Sequence, residues 1–194
     1  SDPMILGHYP ADGLALYEAS MPAMQGDDLA TINQPLDFFG ANIYSGRYVH
    51  ATPDGGIEKL PDRDQPVTAM GWPITPEALY WAPRFFHERY GLPIVITENG
   101  MANDDRLENG AVDDQPRINF LQSYLQHYAR AIAEGVPAQG YFLWSVMDNF
   151  EWAEGYSKRF GLIHVDYASQ RRTLKASAQW YGRVIAANGG NLGL

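Results

Sequence analysis

Glu98 follows the apolar stretch in the run Pro93-Ile94-Val95-Ile96-Thr97-Glu98-Asn99-Gly100 and stands at the end of the strand it predicts. Ile94 to Thr97 are apolar or β-branched, the composition of a strand buried in a sheet. A carboxylate is costly to bury without partners. Its place at a strand end leaves two readings open: a side chain that reaches solvent or caps a helix, or one aimed into a site. A second constellation lies in residues 141–167, where Trp144 ends another apolar run, Glu151-Trp152 follow in a loop, and Phe160 comes after them. A loop that mixes Trp, Glu, Asn and Asp suits a sugar. Carboxylates accept hydrogen bonds from vicinal hydroxyls, and indoles pack on C–H faces.

Three elements must position these residues. The runs Leu36 to Tyr44, Leu92 to Glu98 and Gln139 to Ser145 are nearly continuously apolar. That is the pattern of parallel strands buried on both faces. Helices are expected at 77–90, 116–134 and 174–187, with an earlier one from Ala11 to Ala19. Pro83 should kink or restart the first of these. The clearest helix has Asp114 or Gln115 as its cap, Pro116 in its first turn, and an apolar stripe of Ile118, Leu121, Leu125, Ala129 and Ile132. Gly135 ends it, and Gly189-Gly190 end the last helix. Alternating helices and strands mean α/β with right-handed crossovers. The long segments 45–75 and 146–172 both follow strand C-termini, where loops build the active face of a (β/α)8 barrel. Such a barrel needs eight strands and about 250 residues. Three strands cannot close one, so the sheet is open or belongs to a larger barrel.

Hydrophobic residues at 45% and charged residues at 19% exclude a disordered chain. A formal charge of −9 leaves no electrostatic footprint for nucleic acid or an anionic membrane. No apolar run approaches the ~20 residues that span a bilayer. Cysteine is absent, which excludes disulfides and thiolate metal sites.

Ile-Thr-Glu-Asn-Gly at 96–100 and the run from Trp144 through Tyr156 resemble glycoside hydrolase family 1, the β-glucosidase family. Gly-His-Tyr-Pro at 7–10, Asp-Phe-Phe-Gly-Ala-Asn-Ile-Tyr-Ser at 37–45 and Met-Gly-Trp-Pro-Ile at 70–74 fall in the same order and spacing. The resemblance implies a partial (β/α)8 barrel, about strands six to eight with their helices, over the single domain portion 1–194. It implies hydrolysis of terminal β-glucosyl residues with retention, galactosyl and fucosyl being alternatives. Glu98 would be the nucleophile and Tyr44 would hold its charge and orientation. Asn42 would line the same pocket, and Ile43 should point away from it. Trp144 would form the platform under the sugar, Glu151 and Trp152 would bind its outer hydroxyls, Phe160 would close one wall, and Trp72 would lie nearer the aglycone. The Trp144–Ser145 peptide bond is expected to be cis. Phospho-β-glycosidases of the family carry a small hydroxyl residue where Glu151 stands and usually Tyr where Phe160 stands, so unphosphorylated sugars are expected here. No cofactor or metal is implied.

A retaining glycosidase needs two carboxylates about 5–5.5 Å apart. The family's acid/base is the Glu of an Asn-Glu-Pro motif, and none occurs in residues 1–194. The chain is therefore expected to be a fragment or one half of a two-chain assembly, packing against a complementary N-terminal half or against itself. A non-catalytic carbohydrate-binding module and a structural half-barrel are the competing readings. The absence of cysteine and the family's commonest bacterial setting give a cytoplasmic expectation. The histidines at 8, 50, 87, 127 and 164 are too scattered for a metal site. Asp104-Asp105 and Asp113-Asp114 lack a calcium-loop pattern and read as solvated loop or helix cap. Asp54-Gly55-Gly56 and Gly110 read as turns, and Trp180 as core.

Overall fold

The computed structural model describes residues 1–60 and 65–193. The part of the expected loop 45–75 that covers residues 61–64 lies outside them. Three short helices come first: α1 (Asp2–Ile5), α2 (Ala11–Tyr17) and α3 (Asp28–Ile32). Then follow β1 (Phe39–Asn42), a hairpin of β2 (Val49–Ala51) and β3 (Ile57–Lys59), α4 (Ala78–Tyr90), β4 (Ile94–Asn99), α5 (Gln115–Ala133), β5 (Ala138–Leu143), a second hairpin of β6 (Ile163–Val165) and β7 (Arg172–Leu174), and α6 (Ala176–Ala186). Gly55, at positive φ, turns the first hairpin, where Thr52 N–H donates to the Gly56 carbonyl.

The main sheet has the order β1-β4-β5, all parallel. Helices α4 and α5 make the crossovers and pack on one face of it. Ile94 and Ile96 of β4, Leu79 and Tyr80 of α4, and Leu121 and Tyr124 of α5 form the middle of the core. Trp180 of α6 packs at its margin. Only β4 is buried on both faces. The outer strands are half-open, contrary to the sequence expectation, because each has one sheet neighbour and one helical layer. Phe142 is 61% exposed on the bare face, and Phe38 is exposed beside β1.

Two helix expectations are corrected. First, α4 continues through the buried Pro83 as one helix and does not restart there. The ring removes a single N–H from the ladder, and burial beside Leu79 and Tyr80 offsets that loss. Second, the buried face of α5 is rotated from the expected stripe. Ile118, Leu121 and Leu125 are buried, but Tyr124, Tyr128 and Ala131 complete the face, while Ile132 is 44% exposed. Each phenol reaches a backbone acceptor: Tyr124 Oη donates to the Tyr44 carbonyl at 3.0 Å, and Tyr128 Oη to the Gly140 carbonyl at 3.2 Å. A buried tyrosine with a partnered hydroxyl fills more volume than the alanine and isoleucine it displaces from the face.

At the other end of the sheet, Asp2 is buried against the end of α4. It accepts from Arg89 through both oxygens and from Tyr90 Oη at 2.7 Å. The Arg89 and Tyr90 hydrogen bonds lower its pKa to about 2.

The rotated face of α5 sets a contrast. Leu121→Ala should cost about 2–5 kcal/mol, whereas Ile132→Ala should stay within about 0.5 kcal/mol. Urea unfolding of the two variants measures both, and equal losses would restore the sequence-derived stripe.

Candidate functional site

In a regular strand Glu98 would share the face of Ile96 and enter the helix layer. Two irregularities prevent this. The β1–β4 register steps from Ala41↔Ile96 to Asn42↔Glu98, and the β4–β5 register slips between Ile96 and Asn99. Such slips re-aim side chains at strand ends. Glu98 is consequently half-buried at the rim, where Tyr44 Oη donates to its Oε2 at 2.6 Å. Ile43, between Asn42 and Tyr44, turns the other way into the core, as alternation requires.

Both backbone carbonyls that set Tyr44 are held from below. Asn99 Nδ2 donates to the Ile43 carbonyl at 2.8 Å, and Tyr141 Oη donates to Asn99 Oδ1 at 2.6 Å. Tyr124 Oη holds the Tyr44 carbonyl and accepts from Thr75 N–H at 2.9 Å. Asn99 and Tyr124 are thus positioning residues that sequence reasoning missed. A helix tyrosine on an apolar stripe carries no signal beyond core, and Asn99 was read only as part of the motif around Glu98.

Burial pushes the Tyr44 phenol pKa well above 10, and the hydrogen bond to Glu98, the Glu98 charge and the Glu151 charge push it further. The phenol is therefore a neutral, permanent donor to the carboxylate. Its bond engages one carboxylate oxygen, Oε2.

Aromatic rings wall the same space. Trp72 meets Tyr44 edge-on at 5.3 Å, Phe160 meets Tyr44 at 6.2 Å, and Trp72 and Phe160 lie 6.1 Å apart. Phe160 is buried. Its carbonyl accepts from Ser145 N–H at 3.3 Å, next to Trp144 at the end of β5. The Trp144–Ser145 bond is cis, and Trp144 N–H donates to the Asn99 carbonyl at 2.9 Å. Gly100 is required there, because a Cβ would lie 1.9 Å from the Trp144 carbonyl oxygen. Gly161 is required for the same reason, since its Cβ would lie 2.1 Å from Asp148 N.

The remaining residues sit further out. Asn42 is exposed and accepts from Thr97 Oγ1 at 2.6 Å, one residue before Glu98. Glu151 is partly buried, and its charge is felt at Tyr44. Trp152 is 80% exposed on a single-turn 3-10 helix, with a positive φ of 41°. Lys158 Nζ donates to the Ala69 carbonyl at 2.7 Å and ties the Trp72 loop to the Phe160 loop. Among the described residues no group of three or more His, Asp or Glu could hold a metal ion.

The acidic pairs split, so that of their two readings, solvated loop or helix cap, neither covers both members of a pair. Asp104 and Asp113 are exposed, but Asp105 and Asp114 are buried. Arg117 pairs with both, and Lys175 Nζ lies 2.6 Å from Asp105 and 2.7 Å from Asp148. Asp114 precedes α5 yet caps the neighbouring helix, accepting from Ser177 N–H at 2.8 Å.

The family described as glycosyl hydrolase family 1 matches residues 1–190. β-Glucosidase A of Thermotoga maritima is 46% identical over 191 residues, which are 97% of this chain and 43% of that protein. A β-glucosidase of Agrobacterium sp. is 42% identical over 95% of this chain and 42% of its own length. A bifunctional β-D-glucosidase/β-D-fucosidase of Bifidobacterium breve is 42% identical over 95% of this chain and 45% of its length. Among solved structures, the Thermotoga maritima β-glucosidase in complex with glucoimidazole superposes with a TM-score of 0.88 at 46% identity, covering 97% of this chain and 43% of that one. The chain spans less than half the length of these relatives.

The phenol–carboxylate bond has a spectroscopic consequence. With tyrosine 13Cζ labels, the Tyr44 resonance should stay protonated well above pH 10, where exposed phenols ionise. Glu98→Gln removes the negative charge and should bring the titration down. It should not reach the ordinary value, because burial remains. A wild-type Tyr44 that titrates with the exposed tyrosines would show that the bond is absent.

Proposed function

The chain belongs to glycosyl hydrolase family 1, and from that premise we propose that it is the nucleophile-bearing portion of a retaining β-glucosidase. In this reading β1, β4 and β5 correspond to the sixth, seventh and eighth strands of a (β/α)8 barrel. The observation that carries the proposal is the 2.6 Å bond from Tyr44 Oη to Glu98 at the C-terminal rim of the sheet. Barrel enzymes place their chemistry on that rim.

The first step is attack by a Glu98 carboxylate oxygen on the anomeric carbon of a bound β-glucoside. The C–O bond to the leaving group breaks, and the leaving oxygen takes a proton from a general acid. The resulting glycosyl ester is then attacked by water, whose proton goes to the general acid, now deprotonated and acting as base; this restores the Glu98 carboxylate and releases the sugar with its configuration retained. Tyr44 fixes one carboxylate oxygen while the other reacts. Trp144 is the platform under the ring, Phe160 a wall, Asn42 a polar edge, and Trp72 the side toward the leaving group. Glu151 and Trp152 bind the outer hydroxyls. A carboxylate at position 151 repels a phosphorylated sugar.

The general acid comes from a complementary N-terminal half-barrel. The bare sheet face around Phe38 and Phe142 supports that partner. A groove of about 570 Å³ between the end of β1 and α4, lined by Ile43, Val49, Ala78, Trp81 and Phe85, is a further apolar surface for the neighbouring barrel unit. Self-association through the same surfaces is the other outcome of the assembly measurement.

The test is complementation. This chain is mixed with the part of Thermotoga maritima β-glucosidase A that precedes its matched region, and aryl β-glucoside hydrolysis is followed. The chain alone should fall below the mixture by roughly 10²–10⁴, the usual worth of general acid help. Glu98→Gln should abolish the gain. Turnover by the chain alone that survives Glu98→Gln would refute the proposal.

A further inference from the structure

We propose that the buried ion-pair cluster centred on Lys175 is the positioning device of the sugar pocket, holding the segment that carries Phe160 against Ser145 at the end of β5. The proposal rests on the sugar-pocket reading above. Its residues come from segments far apart in the chain: Asp105 after β4, Asp114 and Arg117 at the start of α5, Asp148 after β5, Arg159 before β6, and Lys175 at the start of α6. Three acids face three bases, so the cluster is neutral as a whole. Asp105, Asp114, Arg117, Asp148 and Lys175 are all buried, and the Lys175 side chain is 0% exposed.

The bonds converge on one short stretch. Asp148 Oδ1 accepts from Lys175 Nζ at 2.7 Å and from Gly161 N–H at 3.0 Å. Asp148 Oδ2 accepts from Arg159 Nη1 at 2.5 Å and from Val165 N–H at 3.3 Å. The Arg159 carbonyl accepts from Arg117 Nη2 at 2.8 Å and from Asn103 N–H at 3.1 Å. Both neighbours of Phe160 are therefore gripped by the cluster, and Phe160 itself bonds back to Ser145 beside Trp144. Asp148 also stands three residues before Glu151.

A purely structural role is poorly served by this arrangement. Well-packed apolar residues often stabilise as much as a buried ion-pair cluster or more, because burying charges costs desolvation. Charged hydrogen bonds are instead directional and specify one arrangement. Burial lowers the Lys175 pKa. Burial also pushes Asp105 up, but the Arg117 and Lys175 charges more than offset it, leaving that carboxyl below its ordinary value. Lys175 is a positioning residue in this account, since nothing places it against the sugar.

The experiment compares the wild-type chain with Lys175→Met, with Asp148→Asn and with Leu125→Ala, a core variant under α6. Amide hydrogen exchange and glucoimidazole affinity are measured for each. Lys175→Met should speed exchange at residues 159–163 at least tenfold more than at the core amides of α5, and should weaken glucoimidazole about tenfold. Leu125→Ala should loosen the core without changing affinity. Asp148→Asn, which keeps the side-chain shape and an acceptor oxygen, should show the same pattern more weakly and serves if Lys175→Met does not fold. Uniform acceleration with unchanged affinity would overturn the proposal. If the wild-type chain fails to bind glucoimidazole, the sugar-pocket reading falls, and the exchange pattern alone decides whether the cluster grips the Phe160 segment.

Discussion

The site depends on one hydrogen bond between the ends of two neighbouring strands. Tyr44 leaves β1 and Glu98 leaves β4, and the bond between them forms only because the ladder slips at Ala41/Asn42. Without the slip the carboxylate would share the face of Ile96, inside the helix layer, where its charge would be costly to bury. With it, the same carboxylate sits at the rim with a donor on one oxygen. The two carbonyls beneath Tyr44 are fixed by Asn99 and Tyr124, whose other bonds lead into the core through Tyr141 and Thr75. The geometry of the carboxylate is thus inherited from the packing of α5 on the sheet.

The outer wall is held by a different kind of force. Trp144 follows the end of β5, and Phe160 comes from the segment before β6. Ion pairs among Asp105, Arg117, Asp148, Arg159 and Lys175 brace the segment on either side of Phe160. Glycines at 100 and 161 permit the close backbone approaches that bring the loops together. Apolar packing fixes the floor, and charged hydrogen bonds fix the wall.

The strand order, the main helices and the rim position of Glu98 were legible in the sequence. Long apolar runs and strand-end placement are local signals, and the motifs around Glu98 and Trp144 pointed to the family. What stayed hidden depended on partners distant in the chain. Asp105 and Asp114 read as solvated loop or helix cap, and their burial with Lys175 and Arg117 is recognisable only in three dimensions. Tyr124 and Tyr128 displaced Ala129 and Ile132 from the buried face because their hydroxyls find carbonyls on β5 and beyond β1, which a helical stripe does not reveal. The hairpin strands, at three residues each, are too short for alternation to register. Pro83 does not restart α4, since the helix continues through it with the ring buried. Trp152 stands largely in solvent, so its contact with a sugar depends on what covers it.

The central claim is that Glu98 bonds covalently to a sugar. The most direct measurement is peptide mapping by mass spectrometry after incubation with a 2-deoxy-2-fluoroglucoside bearing an activated leaving group, which needs no general acid. The account predicts one fluoroglucosyl group on the peptide containing Glu98, and none in the Glu98→Gln chain. Label on Glu151 or another carboxylate, with Glu98 unmodified, would contradict it.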